Sequence, residues 1–140
     1  MNLPAAADST PSPEPRHHAA QLAATTPATA RRHVTELLQA AAGAGPDSVT
    51  AADALLVASE LVTNAIRHGG GITAFHASLT GDTLHLAVSD TSPRHPAPRP
   101  ATPGRAGGFG WPLIQRLTDH VDITPLPEGG KTITTIQRLA

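Results

Sequence analysis

The sequence has no cysteine and no tyrosine, two phenylalanines and a single tryptophan in 140 residues. Without cysteine there is no disulfide, no thiol nucleophile and no cysteine-ligated zinc, which fits a reducing compartment and an expected cytoplasmic location. With aromatics at 2% the core has to be assembled from Leu, Ile, Val and Ala. Charge of one sign is also lacking. Ten Lys plus Arg face eleven Asp plus Glu, so no basic excess points to nucleic acid or to an anionic membrane surface. No apolar run is read as approaching the ~20 residues that span a bilayer, and no charged start with an apolar middle marks a secretory leader. A small ligand or another protein is the expected partner.

What is present suffices for one domain. A chain of 14.3 kDa can bury roughly two-thirds of its unfolded surface. Residues 1–16, MNLPAAADSTPSPEPR, have no hydrophobic period and read as a disordered Pro/Ala-rich tail, leaving residues 17–140 for the folded domain. A short strand is expected at Ala20 to Ala24. Thr29 or Pro27 then opens a helix through Val34, Leu37, Leu38 and Ala41 that stops at Gly43. Asp47 or Ser48 caps a second helix from about Val49 to His68, halted by Gly69-Gly70-Gly71.

The period then changes from helical to alternating. "GITAFHASL" and "TLHLAVSD" read as two antiparallel strands joined by "TGDT". From Thr91 to Arg105 five prolines and three arginines carry no periodic face, and residues 91–107 read as a binding loop or lid. A short helix starts near Pro112, and "VDITPL" with "KTITTIQRL" forms a second hairpin across "PEGG". Strands and helices do not alternate as a parallel sheet requires. The expected architecture is α+β, a two-layer sandwich with the helices on one face of a mixed, largely antiparallel sheet.

The second helix carries the chemistry. On a 100° wheel Ala52, Leu55, Leu56, Ser59, Val62 and Ile66 form one apolar stripe, and Val57, Ala58, Leu61 and Ala65 another, both expected to be buried. Between them run Glu60, Asn64 and Arg67, with His68 at the edge. Such a ridge on an arbitrary helix is usually its solvated face. However, Asn is a poor helix former. An interior Asn64 one turn after a carboxylate suits a metal–phosphate site, where its amide oxygen is a hard ligand for Mg²⁺ and Glu60 orients or deprotonates a hydroxyl.

Two further features fit that chemistry. "GRAGGFGWP" places Gly104, Gly107, Gly108 and Gly110 before a helix start, where exposed N–H groups and the helix N-terminus favour an anion, although a flexible hinge reads the same way. Asp90 ends an apolar strand, where its carboxylate can accept from the exocyclic amine of a purine or simply start a turn. Three other motifs fail. "GGKTI" has Pro125 where a P-loop needs glycine and leads into a strand. His76 and His85 lack a third zinc ligand, and no Ser-His-Asp arrangement or nucleophile elbow is present.

Taken in order, Glu60-x-x-x-Asn64, Asp90, Gly108-x-Gly110 and Thr132 after "GGK" resemble the GHKL superfamily of gyrase, chaperone and histidine-kinase ATP sites. Within it "SELVTNAIRHG" and "VSDTSP" are most similar to the small anti-sigma-factor serine/threonine kinases of actinobacteria. The resemblance spans about residues 20–140. It implies ATP and Mg²⁺ as ligands, with Asn64 holding the metal, Glu60 as base and Asp90 reading adenine. It also implies Gly104, Gly107, Gly108 and Gly110 around the phosphates under a lid, Thr132 supporting the adenine site, and Arg67 and His68 near the phosphates. Where the broader superfamily has Gly-x-Gly after the aspartate, this chain has Thr91-Ser92-Pro93.

The function implied is a regulatory kinase that phosphorylates a serine on an antagonist protein and sequesters a sigma factor, in a homodimer. The alternative is a nucleotide-gated binding module that holds or releases its partner without turnover. ATP hydrolysis is a variant of the same geometry. The catalytic half of a sensor histidine kinase fits poorly, for want of a dimerising phospho-acceptor helix.

Overall fold

The computed structural model describes residues 17–22, 25–41, 46–96 and 110–140. Its elements run β1 (His17–Leu22), α1 (Pro27–Ala40), α2 (Ser48–His68), β2 (Ile72–Thr80), β3 (Thr83–Asp90), α3 (Gly110–Leu117), β4 (His120–Pro125) and β5 (Lys131–Arg138). The tail expected at 1–16, the part of the lid from 97 to 107 with Gly104 and Gly107, and Gly108 after it lie outside the described residues.

Local chemistry sets the helix ends. Thr26 accepts the N–H of Thr29 at 3.1 Å, with Pro27 in the first turn of α1, where a missing N–H costs nothing. Asp47 does the same for α2, accepting the N–H of Thr50 at 2.8 Å. That bond, helped by the Thr50 hydroxyl, holds the Asp47 carboxyl below the usual carboxylate range. At the other end Gly69 N–H reaches the carbonyls of Asn64 and Ala65 at 3.1 Å, and Gly71 N–H reaches Ala65, closing α2 where the glycine run was expected to stop it. The first strand begins three residues before the expected Ala20 and shares residues 20–22 with the expected segment.

Among the described residues five strands are ordered β1-β2-β3-β5-β4, and every pairing between them is antiparallel. The second hairpin docks with its later strand inward. β5 buries alternate residues and takes the interior place beside β3, whereas β4 is mostly exposed and ends in Pro125, a residue suited to a sheet edge. Phe75, Ala77, Leu79, Leu84, Leu86, Val88 and Ile133 face the helices, and Val34, Val57, Leu61, Val62 and Ile114 meet them from the other layer. Burial of these aliphatic side chains is the main stabilising term in a chain with almost no aromatics.

Helix α2 corrects the wheel in one respect. Val57, Ala58, Leu61 and Ala65 are buried as expected, but of the other stripe Leu56 is 38% and Ile66 47% exposed. The helix lies between α1 and α3 on the sheet and therefore keeps one open side. A second correction concerns its hydropathy. At 21 residues and a mean hydropathy of 1.4 this helix is long and apolar enough to cross a membrane by length and composition alone, although no such run was expected. Its packing explains the composition, since a helix covered on several sides needs apolar residues around most of its circumference.

Candidate functional site

Glu60 and Asn64 sit one turn apart on α2, facing the first residue of α3. Gly110 is buried and its bare Cα turns toward both side chains. A methyl group there would lie 3.2 Å from Asn64 Oδ1 and would clash with Glu60 Oε1. Two hard oxygens, one neutral and one anionic, thus converge on a small space that exists because position 110 has no side chain. Both residues are half-buried, and the N-terminal turn of α3 adds partial positive charge beside them.

The other end of the site forms where α2 stops. Gly69 O accepts both the N–H and the hydroxyl of Thr91 at 3.1 Å, fastening the end of β3 to the end of the helix. Asp90, 4% exposed, lies against Gly69, where a methyl group would stand 2.6 Å from its Cγ. From Glu60 to Gly69 the helix rises roughly 14 Å at 1.5 Å per residue. One rigid helix therefore sets the separation of the paired oxygens from the aspartate.

Strand register sets Thr132 on the face of the sheet opposite that of Asp90. Cross-strand partners share a face, and Asp90 is opposite Lys131 while Ser89 is opposite Thr132. The Thr132 hydroxyl accordingly bonds Ser89 Oγ at 2.8 Å on the face away from the helices. Lys131 is the residue that β5 sets beside Asp90, donating to Oδ1 at 3.0 Å and lying 2.9 Å from Oδ2. It also donates to the Ser92 carbonyl at 3.1 Å, while Ser92 N–H returns a bond to Asp90 Oδ1 at 3.0 Å. The Thr91-Ser92-Pro93 departure thus closes over the aspartate through main-chain bonds. Lys131 was missed because "GGKTI" was read only as a failed P-loop. Ile133, two residues on and therefore on the same face of the strand, was the signal that could have found it.

Arg67 and His68 are exposed on the last turn of α2, where cations complement the helix dipole. Among the described residues no group of three or more His, Asp or Glu could hold a metal by itself. Asn64 with Glu60 offers a sparse oxygen set instead, of the kind that suits Mg²⁺ when phosphates and water complete its shell.

Residues 19–137 match the family described as the histidine kinase-like ATPase domain, and the chain belongs to that family. Among solved structures it is similar to the RsbU and RsbW domains of Rv1364c from Mycobacterium tuberculosis, at 26% identity and a TM-score of 0.61. That match covers 92% of this chain but 32% of the other, so the chain spans about a third of the length of that relative. No match was found among curated proteins.

Proposed function

We propose that this protein is an ATP-dependent regulatory serine/threonine kinase of the anti-sigma type. Family membership supports ATP binding and kinase or ATPase chemistry in general. The finer reading draws on the similarity to a structure that contains an RsbW domain and on the sequence likeness to anti-sigma kinases. One observation carries it: Glu60 and Asn64 converge on the bare Cα of Gly110, on the same helix that ends against Asp90.

In this reading Asn64 Oδ1 holds the magnesium ion, and Asp90 accepts the amine of the adenine ring. Gly110 and the N-terminal turn of α3 lie against the phosphates, with Gly104, Gly107 and Gly108 assigned to the loop before it, and Arg67 and His68 flank the same region. Bound Mg·ATP supplies an electrophilic γ-phosphorus and a cation that offsets negative charge on the phosphate oxygens. Glu60 orients the acceptor serine of an antagonist protein and takes its hydroxyl proton as the new oxygen–phosphorus bond forms and ADP departs. A sigma factor is the second protein partner, bound by a dimer of this chain.

Labelled ATP and purified candidate antagonists test the proposal. Transfer of the label to serine, lost in Glu60→Ala, is the expected result. Tight Mg·ATP binding with no transfer to any candidate supports the nucleotide-gated module instead.

A further inference from the structure

The buried Lys131–Asp90 pair has no part in phosphoryl transfer as described, yet it occupies the place where the base is to be read. Both side chains are almost fully enclosed, at 6% and 4% exposure. A buried pair of opposite charges is seldom favoured for stability alone, because desolvation offsets much of the attraction. Its bonds indicate what else it does.

Lys131 has three N–H donors. One goes to Asp90 Oδ1 and one to the Ser92 carbonyl, with Asp90 Oδ2 2.9 Å from the same nitrogen. The ammonium is thus directed at Asp90 and the Ser92 carbonyl. On the carboxylate, Oδ1 accepts from both Lys131 and Ser92 N–H, which fills its two lone pairs. Oδ2, beside Lys131 and facing Gly69, carries the remaining lone pair. The carboxylate is thus fixed in plane, with one acceptor position left at one oxygen.

We propose that Lys131 is the positioning residue that makes Asp90 an acceptor-only reader of the base, selecting a 6-amino purine over a 6-oxo purine. The inference rests on the ATP-binding reading above. An amine at position 6 donates to Oδ2, whereas a carbonyl there sets two acceptors against each other. Without the ammonium, the carboxylate loses the contacts that fix its plane, and Oδ2 is no longer held in line with an incoming amine. The discrimination between an amine and a carbonyl at position 6 weakens accordingly.

The groups near Asp90 are Lys131 from β5, Ser92 from the following loop, and the main chain at Gly69 and Gly130. Arg67 and His68 lie on the last turn of α2 and are common to wild type and the Lys131 variants.

The test measures dissociation constants for Mg·ATP and Mg·ITP with wild type, Lys131→Met, Lys131→Gln and Lys131→Arg. Wild type prefers ATP. The preference falls about tenfold or more in the Met and Gln variants, because ITP loses less than ATP. Lys131→Arg, which keeps the charge and can grip the carboxylate with its fork, restores the wild-type ratio. If Met does not fold, Gln decides, and if neither folds, retention or loss of the ratio in Arg decides. An unchanged ratio in a folded neutral variant, or a lost ratio in a folded Arg variant, overturns the inference. Failure of wild type to bind either nucleotide overturns the ATP-binding reading itself, a separate outcome.

Discussion

The carboxylate of Glu60 reaches into the space that a side chain at position 110 would fill. The clashing atom is the far end of a flexible side chain, so an added methyl displaces Glu60 more readily than it disturbs the backbone. Gly110→Ala is therefore expected to fold with a stability change within ~1 kcal/mol. It should nevertheless lose phosphoryl transfer by ~10²-fold. Thermal unfolding alongside a transfer assay checks both halves, and a large loss of stability would mean that the contact is rigid.

Gly130 meets a different neighbour. A methyl group there would strike the main-chain carbonyl of Asp90 and stand 3.2 Å from Thr91 Cα, and neither can swing aside. Gly130→Ala should cost about 1–3 kcal/mol, the usual range for overpacking. Urea titration of the two alanine variants side by side should place Gly130→Ala clearly below Gly110→Ala.

The two faces of α2 predict opposite outcomes. Leu61 is 2% exposed among the core aliphatics, so Leu61→Ala should lose about 2–5 kcal/mol. Ile66 is 47% exposed, and Ile66→Ala should fall within about 0.5 kcal/mol of wild type. Equal losses would show that the open side of α2 is covered in solution.

At the start of the same helix, Asp47 is held below the usual carboxylate range by its bonds to Thr50. A depressed folded value means that its contribution is present above the ordinary aspartate range, ~3.9, and is lost as pH falls through the lower folded value. Asp47→Ala should therefore lower the unfolding midpoint at pH 7, with the gap to wild type closing in acid. A gap that stays constant down to the acid limit would contradict the cap.

Much of this arrangement was legible in the sequence because its periods are strong. Alternation in "GITAFHASL" and "TLHLAVSD" gave two of the strands, and Asp47 and Gly69 bounded the long helix within a residue of its observed ends. The Glu60–Asn64 ridge was legible for the same reason, since residues four apart on a helix must share a face. Two things were not. A 100° wheel ranks residues by polarity but does not know which neighbours arrive, so it buried Leu56 and Ile66 on a side that α1 and α3 leave open. The family resemblance assigned Thr132 to the adenine site, whereas strand pairing decides which face each residue takes. Moving by one residue reverses the face, and that is why Lys131 and not Thr132 stands beside the aspartate.

The measurement that tests the central claim most directly is Mg·ATP affinity in wild type, Asn64→Ala and Glu60→Ala, followed by the emission of Trp111, which is half-buried directly after Gly110. The account predicts that wild type binds, that Asn64→Ala weakens binding, and that Glu60→Ala binds nearly as wild type while transfer falls ~10²-fold or more. Wild-type affinity retained in Asn64→Ala, with Trp111 emission unmoved at saturating nucleotide, would contradict it.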